Sequence, residues 1–264
     1  MLTLLLIQTL IAPALLAAIS VYLMKSPFAS TKPLLAGLLL MHWVLLSAWI
    51  IGLPNVMPIQ ASDWFWLTLL FTGVVSIISH PFAKKVAMAV LFIIIALLMH
   101  WTLLHYQASF NTHSGLWLEF IVVCSVALTI IYQADHKDNN IYQNSFFAFT
   151  VATMGFAALI SGSITLALLC FCLASLLFFA AIFKPQQQVV NSSTLLISLL
   201  LLLQVRHYAE VPLLSTLTLL GMFSLSSIKF STHKQHYFAM FILACLTFAQ
   251  LIYTFAHSTS YAYR

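Results

Sequence analysis

Residues Gly115 to Gln133 read GLWLEFIVVCSVALTIIYQ, an apolar run that contains a single acidic side chain, Glu119. The run predicts a helix that crosses a membrane, since roughly 20 apolar residues span the hydrocarbon core. A carboxylate inside such a helix costs about 2.5 kcal/mol or more to insert, so it needs a partner, a proton or a water-filled cavity. Glu119 is therefore a candidate functional residue. The alternative is that Glu119 lies near the end of the segment and extends to the lipid headgroups.

The composition of the 264-residue chain is typical of a polytopic membrane protein. Hydrophobic residues make up 62% and charged residues only 6%, and the mean hydropathy is +1.05. A soluble globular protein has roughly 25% charged residues. The pI near 9.1 does not indicate nucleic-acid binding, because the basic residues lie in short loops between apolar runs. The predicted environment is a lipid bilayer, and no nucleic-acid partner is expected.

The apolar segments predict an all-α, polytopic transmembrane helix bundle of about 10 spans that forms a single transmembrane domain over residues 1–264. The sixth and seventh segments form one long apolar stretch broken only at Ser161-Gly162-Ser163, a turn signal, so eight or nine spans is the alternative. The segments are Leu2–Leu23, Leu34–Leu53, Trp64–Phe82, Val86–His105, Gly115–Gln133, Phe146–Ile160, Ile164–Phe183, Val189–Val205, Pro212–Ile228 and Tyr237–His257.

The distribution of charge supports this segmentation, because short cytoplasmic loops collect Lys and Arg. With ten spans, all eight lysines fall on one side of the membrane, and Asp63, Arg206, Glu210 and Arg264 fall on the other. The chain is therefore expected in the cell (inner) membrane with Lys-rich loops in the cytoplasm and both termini outside it. The lysines are Lys25, Lys32, Lys84, Lys85, Lys137, Lys184, Lys229 and Lys234.

The cysteines and the longest polar loop predict neither a metal site nor a disulfide framework. All four cysteines lie inside apolar segments, and Cys170 and Cys172 project from different faces of a helix. The loop Ala134–Ser145 contains Asp135, His136 and Asp138, but acid-rich loops of this kind are usually solvated turns. No cofactor is predicted from these residues.

Histidines within the apolar segments leave a redox alternative open. His42 and His100 lie within segments, where two imidazoles at matched depth on facing helices could hold haem or contact a quinone. His100 and His105 are five residues apart and lie on different faces of one helix, which is a poor chelating arrangement. Most of these histidines are expected to form hydrogen bonds between helices. His233 and His236 are predicted to lie in the last cytoplasmic loop.

Two motifs resemble the antiporter-like proton-translocating subunits of respiratory complex I, membrane-bound hydrogenases and Mrp-type cation/proton antiporters. The fifth segment contains Leu116-Trp117-Leu118-Glu119 followed by Ser125. In that family the fifth helix has a Phe- and Trp-rich beginning, then Glu, then Ser six residues later. The eighth segment contains Leu202-Leu203-Gln204-Val205-Arg206-His207-Tyr208, similar to the family pattern Leu-Leu-Lys-x-Gly-x-Tyr. A basic loop between the ninth and tenth segments and an outside N-terminus also fit.

The chain departs from that family at the positions that should be basic. It corresponds to the first ten helices of a family that usually has more. The seventh segment ends Phe178-Phe179-Ala180-Ala181-Ile182-Phe183-Lys184-Pro185, with apolar residues where the family has lysine. The eighth-helix lysine is replaced by Gln204, and the serine-rich start of the tenth helix is absent. The resemblance therefore implies a reduced member whose proton path is incomplete.

The expected function is that of an integral membrane subunit of a proton- or sodium-translocating complex, accessory rather than an enzyme with its own active site. Glu119, Gln204, Arg206 and His207 are the candidate residues of the proton path, and other membrane subunits are the expected partners. The alternatives are an intramembrane haem- or quinone-binding redox protein, and a non-catalytic assembly factor or small-solute permease. Only seven glycines and no Gly-x-x-x-Gly pattern occur, which disfavours the permease.

Overall fold

A computed structural model of the chain describes residues 3, 6–23, 33–52, 81–106, 121–130, 141–183, 192–227 and 233–262. Within these ranges the chain is all-helical and contains no β-strand. We number the nine described helices in chain order. They are α1 (Ile7–Leu23), α2 (Pro33–Ile51), α3 (Pro81–Tyr106), α4 (described over Ile121–Ile130), α5 (Ile141–Ile160), α6 (Ile164–Phe183), α7 (Ser192–Tyr208), α8 (Leu213–Ser227) and α9 (His233–Ala262).

These helices coincide with nine of the ten predicted segments, with differences at their ends. The predicted segment Trp64–Phe82 lies outside the described residues except for its last two. Helix α3 begins at Pro81, so that Lys84 and Lys85, predicted to be in a loop, belong to its first turns. Proline is well suited to the first helical position, because its fixed φ is helical and its missing N–H is not needed there.

Helices α5 and α6 are separate, as the turn signal at residues 161–163 predicts. Gly162 has φ +92°, a conformation that glycine adopts without steric cost. The N–H of Gly162 donates to the carbonyl of Leu159 (3.1 Å), and the N–H of Ser163 donates to the carbonyl of Ala158 (2.9 Å). These two bonds form a Schellman motif, which ends α5 and returns the chain as a helical hairpin.

Helix α6 lies at the centre of one half of the bundle and packs against α1, α2 and α5. Its residues are apolar on every face, as expected of a helix surrounded by others. The fully buried Trp43 of α2 donates from Nε1 to the backbone carbonyl of Leu169 (3.1 Å). At Gly155 of α5, an added Cβ would lie 2.9 Å from the Phe171 ring and 3.1 Å from Cys170 Cβ. The α5–α6 crossing is therefore close.

Helices α5 and α9 run in the same direction. Near their first residues, the rings of Phe146 and His236 stack with centroids 3.9 Å apart. Near their last residues, Ile160 and Thr254 line a common cavity. His236 is thus a buried residue in the first turn of α9, and the prediction that His233 and His236 lie in a loop is wrong, because α9 begins at His233.

Helices α8 and α9 pack antiparallel in a fixed register. Ser215 Oγ lies 3.2 Å from Gln250 Oε1, and three residues further along α8, Thr218 Oγ1 lies 2.7 Å from Thr247 Oγ1. One turn beyond, an added Cβ at Gly221 would lie 3.4 Å from Leu243. Short polar side chains and a glycine at this spacing allow two helices to approach closely and form hydrogen bonds across the contact.

Two described helical stretches are long and apolar enough to cross a membrane, Ile164–Phe183 and Gln235–Thr254. The other described helices contain shorter apolar stretches of 10–17 residues. Large hydrophobic side chains are exposed on the outer faces of many helices; on α9, Phe238 and Phe241 are 67% and 64% exposed. The outer surface of the described helices is therefore largely apolar, whereas many Ser, Thr, Asn and Gln side chains are buried inside.

Candidate functional site

Helix α7 contains three of the four predicted site residues and is the most enclosed helix in the described part of the chain. Every residue from Thr194 to Val205 is buried, and α7 contacts α3, α5, α6 and α8. Gln204 is 1% exposed. A buried amide needs hydrogen-bond partners inside the bundle, and it can both donate and accept them. The amide of Gln204 cannot change its charge, whereas the lysine that the resemblance implies at this position can.

Arg206 and His207 lie in the last turn of α7 and are half-buried. Nη1 of Arg206 donates to the backbone carbonyl of Val211 at 2.7 Å. This bond ties the end of α7 to the loop before α8. Positive side chains also stabilise a helix C-terminus through its partial negative charge. Arg206 therefore has a structural contact that its sequence position did not reveal.

Glu119 lies outside the described residues, as do Asp135, His136 and Asp138. The structure brings Gln204, Arg206 and His207 together within one turn of α7, as their sequence spacing requires. Their relation to Glu119 remains a prediction. The described part of α4 that follows Glu119 has Ser125 on an exposed face, where its hydroxyl donates to the backbone carbonyl of Ile121 at 2.7 Å.

His42 of α2 is buried and bonded to α1. Its Nδ1 lies 2.8 Å from Ser20 Oγ, which also lies 2.8 Å from the backbone carbonyl of Leu16. The Ser20 hydroxyl has one proton, so if it donates to Leu16 it must accept from Nδ1–H of the imidazole. Whichever of the two atoms donates, Nδ1 is bonded to Ser20, and Nε2 is the ring nitrogen that remains for a ligand. The side chain of His100 lies outside the described residues.

A polar contact between α1 and α6 was not predicted. The first turn of α1 is π-helical over Ile7–Ile11. Two side chains of α6 donate to its backbone: Cys172 Sγ to the Gln8 carbonyl (3.1 Å) and Ser175 Oγ to the Thr9 carbonyl (2.6 Å). Single π-helical turns are rare in proteins, and this one accepts two hydrogen bonds from a neighbouring helix. Cys172 is a free thiol that acts here as a donor.

A cavity of about 280 Å³ lies where the α5–α6 turn, the α7–α8 loop and the C-terminal half of α9 meet. Among the described residues that line it, only Glu210 is charged, and polar atoms contribute much of its surface. Glu210 has φ 55°, an uncommon conformation for a residue with a Cβ. One signal for this site is visible in the sequence: Glu210 is an acidic residue directly after an apolar segment. The lining residues are Ile160, Ser161, Gly162, Ala209, Glu210, Pro212, Leu251 and Thr254.

Within the described residues, no group of three or more His, Cys, Asp or Glu side chains could hold a metal ion. Comparison of the chain with protein-family models, with curated proteins and with solved structures finds no match.

Proposed function

We propose that the chain is an integral membrane protein. The observation that supports this is the distribution of polarity: the outer faces carry many large exposed hydrophobic side chains, and many hydroxyl and amide side chains are buried inside. In water such a surface would drive aggregation. In a bilayer it is the expected arrangement, because backbone and side-chain polar groups must be satisfied within the protein.

The proposed topology has about ten spans in the cell (inner) membrane. The Lys-rich loops face the cytoplasm, and both termini lie outside it. Its support is the charge distribution together with the alternating directions of α5 to α9. Turn 161–163, loop 209–212 and Thr254 lie at one end of the bundle, where the proposal puts them outside the cytoplasm. Phe146 and His236 lie at the other end, which the proposal makes cytoplasmic.

Within the membrane, the chain is an accessory subunit of a proton- or sodium-translocating complex. The observation that carries this role is Gln204, an uncharged polar side chain in the interior of the fully enclosed helix α7. The resemblance implies a lysine there. An ion path through α7 needs a group that changes charge as the ion passes, and an amide cannot do so. The chain therefore requires partner subunits that complete the path.

The first test is purification of the tagged protein from its native membrane in mild detergent, followed by mass spectrometry of the subunits that accompany it. Co-purification of ion-translocating membrane subunits is the expected result. Purification of a single chain, with no stoichiometric partner after mild cross-linking of the membrane, would exclude the accessory role.

The second test compares buried Gln204 of α7 with half-buried Gln250 of α9. Gln204→Leu and Glu119→Gln are expected to lower ion movement by the host complex while assembly is retained. Gln250→Leu, which removes the contact to Ser215 between α8 and α9, is the matched control and should leave ion movement unchanged. Wild-type ion movement in both Gln204→Leu and Glu119→Gln would contradict the proposed path.

A second candidate function, haem or quinone binding, is favoured by the geometry of His42. Ligating histidines commonly engage one ring nitrogen in a hydrogen bond and use the other as the ligand. The contact between His42 Nδ1 and Ser20 matches this arrangement. A visible absorbance band in the purified protein that is lost in His42→Ala would support this function, and a colourless preparation without bound quinone would exclude it.

A further inference from the structure

An apolar groove lies between the first turns of α5 and α9, on the outer surface of the bundle. Its volume is about 680 Å³, a size typical of sites that bind small organic molecules. Two buried side chains, Phe146 and Met240, form its floor, and the exposed rings of Phe149, Phe238 and Phe241 form its rim. We call this feature the α5–α9 groove.

The floor of the α5–α9 groove is held in place by ring contacts. The Phe146 ring stacks on the imidazole of buried His236, with centroids 3.9 Å apart and ring planes 15° apart. It also meets the Tyr237 ring edge to face, with centroids 4.7 Å apart. Such pairs restrict the rotation of the rings that form them. The groove is therefore preformed, which lowers the entropic cost of filling it.

Polarity and charge lie at one end of the groove. Its two side chains with a hydroxyl group, Ser145 and Tyr237, belong to the earliest turns that line it, and the lining residues of the following turn are apolar. Lys234 is the only Asp, Glu, Lys or Arg residue in the sequences of α5 and α9. It precedes Phe238 by four residues and Phe241 by seven, so its backbone position is on the helix face that lines the groove.

We propose that the α5–α9 groove binds one anionic phospholipid of the cytoplasmic leaflet. An acyl chain lies along the aromatic floor, and the negative headgroup pairs with the positive charge of Lys234. The sequence contains no Asp or Glu after Glu210, so no acidic residue in this part of the chain competes for that charge. The inference rests on the proposed membrane placement, which puts the start of α9 at the cytoplasmic surface. It does not depend on a role in ion translocation.

The walls of the groove suit a flexible chain better than a helix of a partner subunit. Helix contacts in membranes are rich in small residues, as at Gly155 and Gly221 within this bundle. The α5–α9 groove is lined mostly by aromatic rings, and Ser145 is its only small side chain. Its lining residues cover 145–149 and 237–241, roughly 6 Å of helix length. A helix that crosses the membrane would make a contact several times longer.

The first experiment measures lipid binding to the full-length protein. The protein is inserted into nanodiscs of phosphatidylcholine, a step that tests membrane placement by itself. Phosphatidylglycerol is then added at increasing fractions, and native mass spectrometry counts the lipids retained on the released protein. We expect one phosphatidylglycerol per chain, retained about fivefold in preference to phosphatidylcholine, the effect of one lysine near an anionic surface. Added salt should reduce this preference.

Two pairs of variants test the charge and the wall of the groove separately. Lys234→Gln should abolish the preference for phosphatidylglycerol, whereas Lys84→Gln, which removes the same charge from the first turns of α3, should keep it. Phe241→Ala removes part of the rim and should lower retention of the lipid. Phe178→Ala removes an exposed ring near the end of α6, outside the groove, and should retain the lipid normally. All four variants should insert into nanodiscs like the wild type.

The second experiment identifies the occupant in the native membrane. A photoreactive benzoylphenylalanine at position 241 should cross-link to an anionic phospholipid more strongly than the same group at position 178. Cross-linking to a protein instead would assign the groove to a partner subunit or a second copy and overturn the proposal. Equal retention of both lipids by a protein that inserts normally, or loss of the preference in Lys84→Gln as well as in Lys234→Gln, would also overturn it. Failure to insert would contradict the membrane placement itself, and the lipid site with it.

Discussion

Glu210 occupies a backbone conformation in which a Cβ is unfavourable, and this makes its effect on stability predictable. Glu210→Gly should raise the free energy of unfolding of the protein by about 1 kcal/mol, since a non-glycine residue in the left-handed region costs about 1–2 kcal/mol. The measurement is denaturant or thermal unfolding in detergent.

Gly162 provides the reverse control for that measurement. It has φ +92°, and an added Cβ would meet no atom within 4 Å, so Gly162→Ala tests backbone strain alone. Gly162→Ala should destabilise the protein by about 1 kcal/mol, and by more if the turn reorganises. A neutral or destabilising effect of Glu210→Gly would mean that the carboxylate makes a favourable contact in the folded state.

Trp43 should contribute to stability through its indole N–H as well as through its volume. It is fully buried, and Nε1 donates to the Leu169 carbonyl across the α2–α6 contact. Trp43→Phe removes this donor and shrinks the ring, so we expect a loss of about 2 kcal/mol, roughly half from the hydrogen bond and half from lost packing.

Trp49, on the same helix, is the matched control for Trp43. It is 51% exposed, so Trp49→Phe should change the free energy of unfolding by less than about 0.5 kcal/mol. Both variants can be followed by thermal unfolding in the same detergent. Equal effects at the two positions would show that the Trp43 hydrogen bond contributes nothing measurable.

Gly155 lies at a close contact between helices α5 and α6. An added Cβ would lie 2.9 Å from the Phe171 ring and 3.1 Å from Cys170 Cβ. The ring can rotate, but Cys170 Cβ is fixed to the α6 backbone, so α5 and α6 must separate slightly. Gly155→Ala should therefore cost about 1–3 kcal/mol, as overpacking does elsewhere.

Gly221, at the α8–α9 contact, is the control for Gly155. The nearest atom to an added Cβ is Leu243 Cδ1 at 3.4 Å, the end of a flexible side chain. Gly221→Ala should be neutral, or stabilising by up to about 1 kcal/mol from helix propensity. If Gly155→Ala were as well tolerated as Gly221→Ala, the α5–α6 crossing would be looser than described.

The helices themselves were predictable from the sequence, and one turn was predictable in detail. The only polar break in the apolar stretch Phe146–Phe183 is Ser161-Gly162-Ser163, and a glycine there favours the positive φ that ends α5. Helix ends were less predictable. Residues 81–85 and 233–236 include polar side chains, yet they form the first turns of helices α3 and α9. Backbone hydrogen bonds hold a helix, and these bonds do not require apolar side chains.

The neighbours of each helix could not be predicted, for a physical reason. A helix such as α6 is apolar on every face, so its sequence indicates no preferred contact side. The contacts of Cys172 with Gln8, of Trp43 with Leu169 and of Phe146 with His236 join residues far apart in sequence. Gln204 was identified from the resemblance and lies in an enclosed helix, whereas the cavity at Glu210 required the fold.

In the described part of the bundle, turn 161–163 and loop 209–212 lie at one end and the first turns of α5 and α9 at the other, and this yields a topology prediction that needs no partner or ligand. Cysteines introduced at Ser161 and Glu210 line one cavity and should react with a membrane-impermeant maleimide from outside the cell. A cysteine at Gln235, exposed in the first turn of α9, should react only after the membrane is opened.

The background protein needs Cys245 replaced by serine, since Cys245 is exposed, whereas Cys124, Cys170 and Cys172 are buried. Labelling of Gln235→Cys from the same side as Ser161→Cys would contradict alternating spans, and the reverse pattern at all three sites would invert the proposed orientation while keeping the bundle.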